Sequence, residues 1–153
     1  MKKLFAFTFL LLAGACQEEE KIADKVFEFV SFMGSETVAL NEAASSEAGY
    51  PIVVQLWAHK PYPNDIDLTL QITPTNSVAG TDFAAIPTTL KIKAGKLVSD
   101  TLWITTVNNA VAAEAERSVE VKIGAVSVNG IKIGLGIESP NHKAIVFTIV
   151  DDE

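Results

Sequence analysis

The sequence predicts an all-β protein folded as an antiparallel sandwich of seven to eight strands. After residue 25, large aliphatic side chains alternate with polar ones, which is the periodicity of half-buried strands. Turns containing Gly, Pro and Asn separate these segments at short intervals. The only segment with a helix-forming composition, residues 110–116, is too short to form a stable helix alone.

The clearest strand lies at residues 65–73, where every second side chain is a large aliphatic. Its inward-facing side chains are predicted to be Ile66, Leu68, Leu70 and Ile72. In chain order the predicted strands are residues 26–32, 38–40, 51–59, 65–73, 90–93, 101–107, 119–123 and 144–150. The predicted turns are residues 61–64, 74–76, 79–82, 94–96 and 129–130. Because short strands and turns alternate without crossover helices, a sandwich is favoured over a parallel sheet.

The first fifteen residues have the pattern of a secretory signal peptide. A basic start, Met1-Lys2-Lys3, precedes an apolar run at residues 4–12, which is shorter than the roughly 20 residues that span a bilayer. The run ends in Ala13-Gly14-Ala15-Cys16, which resembles the lipobox of bacterial lipoproteins. In that family the Cys is lipidated, so Cys16 is the predicted lipidation site and membrane anchor. Ordinary signal cleavage that leaves a free thiol is the alternative.

Acidic side chains follow Cys16 directly, in Gln17-Glu18-Glu19-Glu20. This run resembles the signal that sends some Gram-negative lipoproteins to the outer face of the outer membrane; a merely solvated spacer is the alternative. We expect residues 16–25 to form an acidic tether and residues 26–153 to form one domain. Because residues 1–15 contain two lysines and no acidic residue, cleavage changes the net charge from −7 to −9.

Charge and cysteine content exclude several classes of protein. The acidic balance argues against nucleic-acid binding, because phosphate recognition requires clustered Lys and Arg. The single Cys excludes an internal disulfide framework and any metal site built from several thiolates.

A family resemblance begins at Ala79-Gly80-Thr81-Asp82-Phe83. This turn leads into the segment 88–96 and the strand at 100–105, and the chain ends in the acidic run 148–153. In this order and spacing, residues 36–153 resemble a Calx-β domain. That family comprises immunoglobulin-like sandwiches found in sodium–calcium exchangers, integrins and many bacterial surface proteins. The resemblance implies an immunoglobulin-like sandwich for the whole domain.

The resemblance also implies a Ca²⁺ site, because loop carboxylates bind the ion in calcium-binding members of the family. Ca²⁺ takes roughly six to eight oxygen ligands. The matching positions here are Glu42 (or Glu47), Asp82, Asn109 and Glu114 of the 108–116 loop, and Asp151, Asp152 and Glu153.

This sequence departs from the family pattern at two places in that site. Asn108 and Asn109 stand where the family has paired Asp residues, and Arg117 stands where an acid is expected. Two alternatives follow: one weak Ca²⁺ site, or an ion pair of Arg117 with Asp82 or Asp151 in place of the ion.

Together these features predict a non-enzymatic surface lipoprotein whose domain is an interaction or adhesion module. The alternative is an accessory glycan-binding lipoprotein of a nutrient-uptake system, because Trp57 and Trp103 are predicted to face outward. For these two residues, packing between edge side chains or against the N-terminal segment is favoured over a binding role. His59 and His142 are predicted to be exposed loop residues without metal-ligand neighbours. No Gly-x-Ser-x-Gly nucleophile elbow occurs, which argues against a hydrolase. The predicted partners are therefore the membrane, through the lipid at Cys16, and a protein or glycan ligand.

Overall fold

A computed structural model of the chain describes residues 27–42, 49–108, 115–135 and 141–150. These residues form strands and connecting segments, with no helix, so the all-β prediction is confirmed. The described strands are β1 (Phe29–Phe32), β2 (Thr37–Asn41), β3 (Tyr50–Ile52), β4 (Val54–Trp57), β5 (Ile66–Thr75), β6 (Thr89–Ile92), β7 (Leu102–Ile104), β8 (Arg117–Val126), β9 (Lys132–Ile133) and β10 (Ala144–Val150). Across the described ranges, no helix is long and apolar enough to cross a membrane.

The strands form the two layers of a sandwich. One layer is a five-stranded sheet in the order β2-β10-β8-β5-β6. The other layer contains the three-stranded sheet β4-β1-β9 and the two-stranded sheet β3-β7. Since Val53 alone separates β3 from β4, the two smaller sheets continue into one another along the chain.

The core lies between the layers, and β5 shows how the sequence builds it. Ile66, Leu68 and Leu70 are almost fully buried, while the side chains between them are exposed. Ile72, the fourth predicted inward position, is half-buried. Burial of each large apolar side chain contributes about 1.5–3 kcal/mol to stability. The alternation that predicted this strand is therefore also the pattern that stabilises it.

The first segment of the domain crosses from one layer to the other. β1 pairs with β4 and β9, whereas β2 pairs with β10 in the opposite layer. Gly34 lies at the crossing with φ of +96°, a conformation that L side chains rarely adopt. After the crossing β2 pairs with β10 in parallel, and before it β1 pairs with β9 in parallel.

Besides small shifts in where strands begin and end, three features differ from those predicted. The strand expected at 51–59 is divided at Val53, since β3 pairs with β7 and β4 pairs with β1. The turn expected at 74–76 begins only at Asn76, because β5 continues through Pro74, opposite Val119. Proline is tolerated there because β6 pairs with β5 only up to Thr69. Beyond Thr69 no strand on the β6 side of β5 requires a backbone N–H, which proline lacks. The two-residue strand β9 was not predicted, as it is too short to show an alternating pattern.

Candidate functional site

Asp82 is held by the turn that precedes it. Its backbone N–H donates to the carbonyl of Val78 at 2.9 Å, and the Val78 N–H donates to the Asp82 Oδ2 at 2.6 Å. Gly80, with φ of +86°, closes the turn by donating to the carbonyl of Phe83. Phe83 is 2% exposed and anchors the turn in the core. The turn therefore directs the Asp82 carboxylate into the protein.

Glu42 and Arg117 reach the same place from two strand ends of the five-stranded sheet. Glu42 follows β2 directly, and its N–H donates to the carbonyl of Val150 at the end of β10. Arg117 is the first residue of β8, opposite Ile149 of β10. The Glu42 side chain is fully buried, and that of Arg117 is 8% exposed. Parallel pairing of β2 with β10 is thus what brings these two side chains together.

One nitrogen of Arg117 contacts both carboxylates. Nη1 lies 2.8 Å from the Oε1 of Glu42 and 2.6 Å from the Oδ1 of Asp82. We call Glu42, Asp82 and Arg117 the buried charge cluster. Burying a single carboxylate here would be costly, and a partner of opposite charge with good hydrogen-bond geometry offsets much of that cost. The cluster ties the end of β2, the 78–82 turn and the start of β8 into one unit.

The three side chains of the buried charge cluster, as arranged here, do not fit a Ca²⁺ ion. One oxygen of each carboxylate, the Oε1 of Glu42 and the Oδ1 of Asp82, already contacts the Arg117 guanidinium. The second oxygen of Asp82 accepts the Val78 N–H. Within the described ranges, no group of three or more His, Cys, Asp or Glu side chains is arranged to hold a metal.

The structure brings two of the predicted ligands together, Glu42 and Asp82, with Arg117 between them. The pairing of Arg117 with Asp82, one of the two alternatives derived from the sequence, is confirmed. Other predicted positions lie outside the described residues, namely Cys16, Glu47, Asn109, Glu114, Asp151, Asp152 and Glu153. The contact of Arg117 with Glu42 was not predicted, since no local pattern links residues so far apart in the chain.

A second candidate site is a groove of about 250 Å³ on the outer face of β1 and β4, which we call the Trp57 groove. Trp57 stands opposite Phe29 in the β1–β4 register, and the two rings stack with centroids 5.9 Å apart. The indole Nε1 donates to the Oγ of Ser31 at 2.9 Å. The indole is thus fixed at one face and at its polar edge, while 42% of the residue stays exposed.

Side chains from three other segments complete the Trp57 groove. Met33 follows β1, Leu135 follows β9, and both are exposed large apolar residues. Gln55 and His142 add an amide and an imidazole to the lining. His142 was predicted to be exposed, but it is half-buried. Its backbone has a φ of +55°, and its backbone N–H donates to the carboxylate of Glu36. The outward orientation of Trp57 was predicted from alternation, and only the topology reveals what surrounds it.

The polar turn beside β6 is held by exposed charges. Asp65 accepts the backbone N–H of Ala94 at 2.9 Å and the Nζ of Lys91 at 3.0 Å. The Ala94 N–H first, and then Lys91, lower the pKa of the Asp65 carboxyl, and the same contact raises the pKa of Lys91. Lys91 also lies 3.4 Å from the Oδ1 of Asp67. Lys91 is thus shared by two carboxylates, and the Ala94 N–H joins Asp65 to the turn that follows β6.

Comparison with known proteins identifies the fold and leaves the family open. No family model matches the sequence, and no curated protein matches it. The fold is similar to the apo-form Calx CBD1 domain, with a TM-score of 0.63 and 16% identity, covering 83% of this chain and 99% of that one. At this identity the likeness shows the fold alone: a Calx-β type of β-sandwich.

Two longer chains share the same fold. The calcium binding domain CBD12 of CALX1.1 aligns with a TM-score of 0.57 and 15% identity, covering 80% of this chain and 44% of that one. A two-domain protein of unknown function from Bacteroides fragilis NCTC 9343 aligns with a TM-score of 0.56 and 12% identity, covering 84% of this chain and 47% of that one. This chain therefore spans nearly the whole length of the CBD1 domain and about half of the length of each of the two longer chains.

Proposed function

We propose that this protein is a membrane-anchored, non-enzymatic interaction module that binds a protein partner at the cell surface through the Trp57 groove. The observation that carries the proposal is the grouping of Trp57, Met33 and Leu135, three exposed large apolar side chains, around one concave surface. Grouped exposed apolar side chains mark interaction sites in soluble domains, and Trp is enriched among the residues that dominate binding energy.

Cys16 supplies the membrane attachment in this proposal. The lipobox-like sequence before it and the acidic residues after it support lipidation and display on the outer face of the outer membrane. Each CH₂ buried in the bilayer contributes about 0.8 kcal/mol, so several acyl chains hold the protein stably. Residues 16–25 then act as an acidic tether between the anchor and the domain.

Detergent phase partition and mass spectrometry test the anchor. The wild-type protein should enter the detergent phase with an acylated Cys16 at its N-terminus, and Cys16→Ala should stay out of that phase. An unmodified Cys16 in the mature protein would contradict the proposed anchoring, without bearing on the groove.

Site-specific photo-cross-linking in intact cells tests the groove. A photoreactive residue at Met33 or Leu135 should yield one discrete adduct with another protein, and Trp57→Ala should abolish it. A photoreactive residue at Trp103 is the matched control, because Trp103 is 55% exposed and does not line the groove. Equal adducts from the groove and from position 103, or none from the groove, would contradict the proposal.

Glycan binding is a second candidate function for the same groove. It is favoured by the amide of Gln55 and the imidazole of His142, which lie beside a fixed indole, since sugars pair stacking faces with hydroxyl groups. A glycan array probed with the wild type, Trp57→Ala and Trp103→Ala distinguishes the two candidates. Selective loss of a sugar signal in Trp57→Ala would favour the glycan.

A further inference from the structure

The position of Arg117 Nη1 is the point at which a cation would bridge Glu42 and Asp82. Its distances to one oxygen of each carboxylate are 2.8 Å and 2.6 Å, and Ca²⁺–oxygen contacts measure about 2.3–2.6 Å, so the shorter distance is at the upper limit of that range and the longer is just beyond it. A single atom therefore already stands between the two carboxylates, at hydrogen-bonding distance from both, and it carries positive charge.

Burial makes that charge necessary. Glu42 is 0% exposed and Asp82 is 6% exposed, so solvent screens neither carboxylate from the other. Two buried carboxylates this close repel each other, and a nearby positive charge must offset both their repulsion and their loss of hydration. The chain supplies this charge itself, from the first residue of β8.

We infer that Arg117 is a built-in counter-ion that replaces a divalent cation between Glu42 and Asp82, so that these two buried carboxylates are paired without metal. The guanidinium is planar, permanently charged and rich in donors, which suits it to contacts with two carboxylates at once. This inference does not depend on the Trp57 groove, and each stands or falls alone.

Thermal melts of the full chain test the inference. Wild-type protein should show the same Tm in millimolar Ca²⁺ as in millimolar Mg²⁺. Arg117→Ala should lower the Tm by roughly 10 °C, because it leaves two buried carboxylates uncompensated. Lys122→Ala is the matched control, since Lys122 is an exposed cation on the same strand, and its Tm should change little.

The two carboxylates that Arg117→Ala leaves without their counter-ion provide a second test. Millimolar Ca²⁺ should raise the Tm of Arg117→Ala, and should not raise that of the double variant Arg117→Ala/Asp82→Asn, which has lost one of the two carboxylates. If Arg117→Ala does not fold, Arg117→Lys, which keeps the positive charge, should still fold and melt without any Ca²⁺ effect. A Ca²⁺-dependent gain in the wild type, a Tm of Arg117→Ala equal to that of Lys122→Ala, or equal Ca²⁺ responses of the single and double variants would overturn the inference.

Discussion

The Nη1 of Arg117 donates to the Oδ1 of Asp82 at 2.6 Å, across 35 positions of the chain. The other carboxylate oxygen of Asp82 accepts the N–H of Val78 within its own turn. One side chain therefore closes a local turn and also fastens that turn to β8. Charge-assisted hydrogen bonds of this kind are about twice as strong as neutral ones.

Asp82→Asn removes the negative charge while keeping the shape of the side chain. We expect a loss of about 1.5–3 kcal/mol in the free energy of unfolding, the usual contribution of a hydrogen bond to a charged group. Asp67→Asn is the control, because the Asp67 carboxylate is 66% exposed and its ion pair with Lys91 contributes about 1 kcal/mol or less. Urea unfolding measures both, and equal losses would show that burial of the charge cluster is unimportant.

Leu68→Ala tests the core that the alternating pattern predicts. Leu68 is 0% exposed on β5, which lies between β8 and β6 in the five-stranded sheet, and its truncation should cost about 2–5 kcal/mol. Thr69→Ala, one residue along on the exposed face, should change stability by about 0.5 kcal/mol or less. Urea denaturation should separate the two variants clearly, and similar costs would mean that the register of β5 is wrong.

Most of the fold could be predicted from the sequence because strand alternation is a local signal. The inward positions of β5 and the outward position of Trp57 depend only on neighbours two residues away. Pairing partners are not local, so the division of the predicted 51–59 strand at Val53 and the short β9 could not be derived in the same way.

The candidate sites depend on long-range contacts to a greater degree than the individual strands do. The resemblance to Calx-β domains indicated that Arg117 could pair with Asp82 or Asp151, since a cation stands where the family has an acid, and the contact with Asp82 is observed. Its contact with Glu42 requires the parallel pairing of β2 with β10, which no sequence pattern specifies. The Trp57 groove likewise joins Met33, Leu135 and His142 from separate segments.

The turn held by Asp65 should respond to acid. Ala94 N–H and Lys91 lower the pKa of Asp65 from its ordinary value of 3.8, so the folded state favours the ionised carboxylate. This stabilisation is present above pH 3.8 and is lost as the pH falls through the lower, folded-state pKa.

In Asp65→Asn the Tm should therefore fall less as the pH drops from 3.8 to the lower, folded-state pKa of Asp65. Lys91→Met should weaken this fall of Tm to a smaller extent, because the larger contribution comes from the Ala94 N–H, which this variant keeps. Melting curves at a series of pH values measure both variants, and an unchanged acid profile in Asp65→Asn would refute the assignment.

Gly49→Ala should destabilise the domain through a close backbone approach. A Cβ at Gly49 would lie 2.6 Å from the Cγ2 of Thr105 and 2.7 Å from the carbonyl oxygen of Ile104. Because backbone atoms cannot move aside easily, we expect a cost of about 1–3 kcal/mol.

Gly124→Ala is the comparison for that substitution. Its Cβ would lie 2.9 Å from the Cγ of Gln71, an exposed and flexible side chain that can move. Chemical denaturation should therefore give a smaller loss of unfolding free energy for Gly124→Ala than for Gly49→Ala. The reverse order would contradict the close approach of Gly49 to Ile104 and Thr105 beside the β3–β7 pair.

The most direct test of the buried charge cluster is a high-resolution crystal structure of the protein grown in millimolar Ca²⁺. We expect planar guanidinium density between Glu42 and Asp82, with the Arg117 Nη1 at hydrogen-bonding distance from both carboxylates. Spherical density there, with several oxygens at about 2.3–2.6 Å and the Arg117 side chain turned away, would show that Ca²⁺ takes this position and would contradict the account.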